Sequence, residues 1–253
     1  MDVYQFREVL FRIVSRDLKI KYKRTFLGYF WSLLNPILQL SVLTVVFSHA
    51  MRLGMKDYTL YLFSGLIAWT FFQTTLALSS TSILENENFI KKIYIPKLLF
   101  PLSRVLLRLI DFVFSLVALT LLGLALGFPL QPTLLLVPIA VCLLVLFTLG
   151  SGVIASVLTV YFRDVEYLLG VFLQLLYFAT PILYPPQIIP ERYQPLVQLN
   201  PLHSQILIFQ KLIYYGRIPT ALEWGTAAAS AFFLFGLGIW MLFWFDEDLV
   251  FRM

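Results

Sequence analysis

A chain of 253 residues with 60% hydrophobic and only 13% charged side chains lacks the polar surface that a water-soluble domain of that size needs. The net charge of +5 raises nucleic acid as a partner, but the basic residues are distributed as a membrane topology distributes them. The opening segment, Met1 to about Ser15, places Phe6, Val9, Leu10, Ile13 and Val14 on one side of a helix, with Arg7, Glu8, Arg12 and Arg16 elsewhere. That pattern predicts a helix lying in the headgroup plane. From Ser15 to Gly28, Arg16, Lys19, Lys21, Lys23 and Arg24 alternate with Leu18, Ile20, Tyr22 and Phe26. Two readings stay open for this basic stretch: an anchor to anionic lipid, or a hold on a phosphate-bearing substrate. About 28 residues come before any apolar run long enough to span, so a cleaved signal peptide is not expected.

Long uncharged windows then follow, each near the roughly 20 residues that a bilayer-crossing helix needs. They predict six spans: Leu33 to Met51, Leu60 to Ser82, Val105 to Leu126, Leu134 to Val160, Leu168 to Leu183 and Gly225 to Phe245. Between Asp111 and Arg163 there is no charge at all, and Gly127, Pro129 and Pro132 mark a tight outer turn between two of them. The stretch Glu85 to Pro96 is the most polar between spans, yet it holds Phe89, Ile90, Ile93, Tyr94 and Ile95. A solvated loop does not need those side chains, so the segment reads as a short helix that docks on another protein. Asp111 lies three positions after Arg108 on one helical face, an ion pair being preferred there over a proton relay. The turn Tyr161 to Tyr167 carries Asp164 and Glu166 at a spacing that helix caps use and that a metal site also allows. Cys142, mid-span, reads as a small buried apolar residue.

After the fifth span the chain is dense in proline, and Tyr184 to Glu223 is too broken to span and too apolar to float free. Short helices that dip into the outer leaflet or cover a pore mouth fit it. Arg7, Arg12, Arg16, Lys19, Lys21, Lys23 and Arg24 precede the first span, and Lys91, Lys92, Lys97, Arg104 and Arg108 fall at or just inside the loop before the third. Arg52, Lys56, Arg192, Lys211 and Arg217 are left for the other side, so both termini are expected in the cytoplasm.

The sequence contains no P-loop of the form G-x-x-x-x-G-K-[ST], no H-E-x-x-H and no G-x-S-x-G. What it does contain is an amide and aromatic seam. On the first span Trp31, Asn35, Gln39, Val42, Val46 and His49 fall within roughly 40 degrees of one line. Trp69, Gln73 and Ser80 align on the second span, and Gly170, Gln174, Tyr177 and Pro181 on the fifth. The amides either bond neighbouring helices or line a path. Trp31, Phe71, Phe72, Tyr177 and Phe178 share those helices, and ring faces suit the CH faces of sugars. Trp224, Trp240, Trp244, Tyr58 and Tyr61 read as interfacial belts.

The run Arg16 to Gly28, followed by Trp31 and by Leu34-Asn35-Pro36, resembles the opening signature of type-2 ABC exporter permeases. It most resembles the branch that exports lipid-linked polysaccharide such as O-antigen, capsule and teichoic acid. The likeness extends to the six spans, the polar segment Glu85 to Pro96, the turn Tyr161-Phe162-Arg163-Asp164-Val165 and the proline-rich region leading to Asn200-Pro201.

That resemblance implies an all-α integral membrane protein, a single transmembrane domain over residues 1–253. Residues 1–28 form its cytoplasmic interface segment, 83–101 its coupling region and 184–223 its outer gate. It implies a non-catalytic homodimeric channel subunit in the bacterial inner membrane, served by two copies of a separate ATPase that binds ATP and Mg while this chain binds no cofactor. Coupling falls to Glu85, Asn86, Glu87, Asn88, Phe89, Ile90, Lys91 and Lys92, with Arg163 and Asp164. Substrate passes Trp31, Asn35, Gln39, Phe71, Phe72, Gln73, Gln174, Tyr177 and Phe178. Arg16, Lys19, Lys21, Lys23 and Arg24 meet the lipid phosphate as it approaches, and no metal or nucleic acid is expected. An exporter of drugs or small lipids, a membrane glycosyl or acyl transferase working at Asp164 and Glu166, and a passive channel are the rival readings.

Overall fold

The computed structural model describes residues 5–23, 31, 34–39, 41–42, 58–125, 127–129 and 131–252. The helices, in chain order, are α1 (Arg7–Tyr22), α2 (Tyr58–Ser80), α3 (Glu87–Ile90), α4 (Leu99–Ala125) and α5 (Val137–Tyr161). They are followed by α6 (Val165–Ala179), α7 (Gln194–Leu199), α8 (Pro201–Gln210), α9 (Ala221–Trp244) and α10 (Asp246–Arg252). Residue 31 and residues 34–39 and 41–42 are helical as well, while the rest of the predicted first span lies outside the described residues. Among the described residues, four helices are long and apolar enough to cross a membrane: α2, α4, α9, and α5 together with the turn Pro132–Leu136 that leads into it.

Local chemistry explains the boundaries. α1 does not stop near Ser15 but runs on through the basic stretch to Tyr22, because Arg and Lys are good helix formers. α4 starts at Leu99, six residues ahead of the predicted span, since Pro101 falls in its first turn, where no backbone donor is needed. It closes at Gly127, whose φ of +77° lets Phe128 N donate to Gly123 O at 2.9 Å. α9 opens on a capping box, with Thr220 N donating to Glu223 Oε2 at 2.8 Å and Glu223 N to Thr220 Oγ1 at 3.4 Å.

The predicted fifth span needs correction. α6 has 15 residues, about 22 Å at the helical rise, against roughly 30 Å of hydrocarbon. It ends because Pro181 disfavours helical backbone at Thr180, which is extended at φ −103°, ψ 130°. The segment Thr180 to Tyr184 is then bound to neighbours. Tyr58 Oη donates to Leu183 O, Tyr61 Oη to Tyr184 O at 2.9 Å, and Asn200 Nδ2 to Thr180 Oγ1 at 2.8 Å. Tyr58 and Tyr61 are therefore buried fasteners and not interfacial belts; Tyr61 is fully buried and also packs edge-on against Tyr214 and Tyr215. Removing its hydroxyl in Tyr61→Phe strands the half-buried Tyr184 carbonyl, with an expected cost of about 1 kcal/mol. Faster proteolytic cleavage between Thr180 and Tyr184 is the readout, and an unchanged cleavage rate would contradict the assignment.

At the centre of the bundle α5 crosses α9 through glycine. A Cβ on Gly150 would stand 2.4 Å from Phe235 N and 2.6 Å from Leu234 O, and one on Gly238 would stand 2.8 Å from Gly150 O. Small residues are what let two helix backbones approach that closely. α8 is wedged among α2, α5 and α9, with Leu202, Ile206, Ile208 and Phe209 buried. Gly65 of α2 makes room for it, since a Cβ there would meet Gln210 Nε2 at 2.7 Å. Cys142 is exposed on the outside of α5, contrary to the buried position expected for it.

The two terminal segments stand at one end of the bundle. Asp17 of α1 meets Arg104 in the second turn of α4. The Arg252 guanidinium of α10 lies 4.6 Å from the Tyr161 ring at the close of α5, and buried Lys97 meets Asp246 Oδ1 at 2.6 Å. The opposite end holds Gly127, the bound segment Thr180 to Tyr184, and the turn where Thr133 Oγ1 donates to Leu212 O at 2.7 Å.

Candidate transport site

At the end bearing both terminal segments, one guanidinium joins three parts of the chain. Arg104 Nη1 donates to Asp17 Oδ2 at 2.9 Å and its Nη2 to Glu85 Oε2 at 2.6 Å. Arg104 and Asp17 are well covered, with side-chain exposures of 13% and 11%, whereas Glu85 is half exposed. A forked, always-charged group suits such a bridge between two carboxylates. Arg16 extends the network, with Nε 3.0 Å from Asp17 Oδ1 and its guanidinium 6.0 Å from the Phe89 ring. Amphipathic helix, polar loop and long apolar helix are thus held by one set of charges.

The polar loop itself is a 3-10 turn, Leu84–Asn86, continued by the single helical turn α3. Asn86 is buried and donates from Nδ2 to Ser82 O at 2.8 Å, and Ile90 is buried beside it. Lys91 pairs back to Glu87 at 2.5 Å. Phe89, Ile93 and Tyr94 point away from this core, with exposures of 47%, 59% and 73%, and Asn88 and Lys92 are partly or fully open. The anchored turn thus carries an apolar set outward, the kind of exposed patch that marks interaction surfaces. Arg163 and Asp164, in the turn before α6, are also exposed. Asp164 occupies the N-cap of α6, but its side chain makes no capping bond. Among the described residues, no three His, Cys, Asp or Glu side chains stand close enough to share a metal ion.

A cavity of ≈ 460 Å³ lies between the helical residues near Trp31, α2 and α4. Trp31, Asn35, Gln39 and Phe71, all assigned to the substrate path, line it together with Thr70, Thr74 and Phe112. Lys21, Arg108 and Asp111 line it too. Lys21 Nζ stands 2.6 Å from each Asp111 carboxylate oxygen, and Arg108 Nη1 stands 3.1 Å from Asp111 Oδ2. The ion pair expected at Arg108 and Asp111 is therefore present, and α1 supplies its second cation. Of the other residues expected at the lipid phosphate, Lys19 and Lys23 are exposed, Arg16 is held by Asp17, and Arg24 lies outside the described residues.

The remaining path residues sit elsewhere around α2. Trp69 Nε1 donates to Gln73 Oε1 at 2.7 Å within one helix, so that amide bonds its own turn. Trp69 also packs on Tyr177, with ring centroids 5.3 Å apart, and Tyr177 on Phe178 at 5.5 Å. Phe72 is buried against Phe147, while Gln174 and Phe178 are exposed on the outside of α6. Within a single copy the structure thus forms two separate groups, one around the cavity and one along α6. Val46 and His49 lie outside the described residues.

Residues 8–214 match the ABC-2 type transporter family. The chain belongs to that family. It is 33% identical over 224 residues to the O-antigen export system permease protein RfbA of Myxococcus xanthus, covering 87% of this chain and 85% of that protein. A protein of the same name from Klebsiella pneumoniae is 33% identical over 212 residues, 83% of this chain and 81% of its own length. The polysialic acid transport protein KpsM of Escherichia coli is 26% identical over 207 residues, 80% of each chain.

Sequence reasoning about this ABC-2 transporter missed Asp17 and Arg104 as a pair, having counted Arg104 only among the positive-inside residues. Asp17 is an acid inside an otherwise basic stretch, and that local sign change was the available signal. The role of Lys21 as a partner of Asp111 was hidden by the 90 positions between them.

Proposed function

We propose that this chain is the membrane-spanning, channel-forming subunit of an ATP-driven exporter that carries lipid-linked, O-antigen-like polysaccharide across the bacterial inner membrane. The observation that carries this reading is 33% identity over 87% of the chain with an O-antigen export permease. The site supports it chemically. Trp31, Phe71 and Phe112 offer ring faces to sugars, Asn35 and Gln39 offer amides, and cations stand beside them for a phosphate.

The chain works as a homodimer with two copies of a separate ATPase, which binds ATP and Mg and performs the hydrolysis. Both termini face the cytoplasm, as the basic residues on that end favour. Six spans are completed by the predicted span Leu33 to Met51, of which residues 34–39 and 41–42 are described as helical, and by α6 with the bound segment after it. ATP binding draws the ATPase pair together and moves the turn Glu85 to Lys92. Arg104 passes that movement to α1 and α4, and rigid-body shifts then open the path from the cavity to the aromatic group along α6. Rings with few fixed hydrogen bonds give weak, repeated contacts, so each sugar is held and released.

Phe89→Asp tests the docking face, because it places a charge in the centre of the exposed apolar set without touching the buried Asn86 and Ile90. Expected are normal membrane insertion, at least a tenfold loss of co-purifying ATPase, the scale of a central interface residue, and a matching loss of surface glycan. Undiminished co-purification would remove the coupling assignment, and surface glycan persisting in a strain deleted for this chain would remove the export reading.

A further inference from the structure

We propose that Asp111 is a built-in counter-ion that occupies a diphosphate site and is exchanged for the diphosphate of the arriving substrate, an inference that rests on the export reading above. Lys21 Nζ is equidistant from both Asp111 oxygens at 2.6 Å, and Arg108 Nη1 reaches Oδ2 at 3.1 Å. This is how two cations hold a tetrahedral oxyanion, here with a carboxylate in its place. Among the described residues, two cations line the cavity against that one acid, and Arg108 Nε is buried without a hydrogen-bond partner. The arrangement thus keeps an unused guanidinium donor, which a diphosphate with its several oxygens satisfies better than a carboxylate.

The two cations come from different helices, Lys21 from α1 and Arg108 from α4, and Asp111 is tethered one turn from Arg108. A tethered competitor is always present at high effective concentration, so an incoming anion binds reversibly instead of permanently. That property matters for a conduit. A headgroup that fell into an uncompensated pair of cations would stay there and block the next one. With Asp111 beside them, the cations are neutralised again as the headgroup leaves, and no bare charge is left in a partly covered place. The neighbouring rings and amides at Trp31, Phe71, Asn35 and Gln39 lie where the sugar or prenyl part follows.

The test uses the transporter purified with its ATPase in nanodiscs of neutral phosphatidylcholine, with inorganic pyrophosphate and geranyl diphosphate as calorimetric probes. Asp111→Asn is expected to bind both about tenfold more tightly than wild type, a coupling typical of two ligands competing for one charged site. It is also expected to export glycan more slowly, and Asp111→Glu to restore wild-type behaviour. Affinity in Asp111→Asn equal to or below that of wild type overturns the proposal. Should that variant not assemble, Lys21→Gln is expected to weaken binding about tenfold, and unchanged binding there overturns it equally. Tighter binding of geranyl diphosphate than of pyrophosphate assigns a lipid headgroup as the ligand; equal binding assigns a free diphosphate, and both uphold the exchange. A complex that exports glycan without any Asp111 effect sinks the exchange alone. One that shows the effect but exports no glycan sinks the export reading alone.

Discussion

Reversing the charge at Arg104 is expected to uncouple ATP hydrolysis from export. In Arg104→Glu three carboxylates face one another where the guanidinium now bridges Asp17 at 2.9 Å and Glu85 at 2.6 Å. Asp17 is almost covered, so the loss of its partner is not screened as it would be at an open surface, and about 3 kcal/mol of local stability is at stake. The turn Glu85 to Lys92 then loses its tie to α1 and α4 while keeping Asn86 and Ile90 in place. Phe89 still docks, the partner still hydrolyses ATP, and the movement no longer reaches the membrane helices. Glycan exported per ATP consumed is the quantity to measure, with an expected fall of about tenfold or more. Arg104→Lys keeps the charge but not the fork and is expected to fall between wild type and Arg104→Glu. A merely structural role would lower the unfolding temperature and spare that ratio, and an unaltered ratio would refute the bridge.

Replacing Gly150 by leucine is expected to prevent the bundle from forming. The first added carbon would stand 2.4 Å from Phe235 N and 2.5 Å from Leu234 C, both backbone atoms that cannot rotate away. The whole α5–α9 crossing must then spread, which also pulls Gly238 off the Gly150 carbonyl. An overpacking cost of about 3 kcal/mol or more follows, seen as low membrane yield and a depressed unfolding midpoint in detergent. Gly170→Ala is the control, because nothing lies within 4 Å of a Cβ at that position of α6 and alanine is the better helix former. Similar behaviour of the two variants would mean that the crossing does not hold the fold.

What was legible beforehand follows from the range of each interaction. Long apolar windows announced α2, α4, α5 and α9 because a bilayer sets their length and composition directly. The seam of Trp31, Asn35 and Gln39 could be read from a period of 3.6, and those side chains do share one cavity. The same period placed Gln73 on the path, yet Trp69, four residues away, claims its oxygen. Aromatic content could not separate a belt from a fastener, so Tyr58 and Tyr61 were misplaced; only the carbonyls of Leu183 and Tyr184 decide their role. The depth of α8 was hidden for a similar reason, since it depends on Gly65 and on three neighbouring helices. Asp17 and Arg104 stand 87 positions apart, and no local pattern joins them.

The shortness of α6 has a consequence for the surrounding lipid. On the six-span reading proposed above, the 15 residues of α6 leave about 8 Å of a typical hydrocarbon layer to the bound segment Thr180 to Tyr184, and where that segment does not reach, the leaflets bend inward. That reading places a pinch in the bilayer along α6. An acyl or prenyl tail turning over beside that pinch has less oily thickness to cross, and its polar head spends less of the journey away from water.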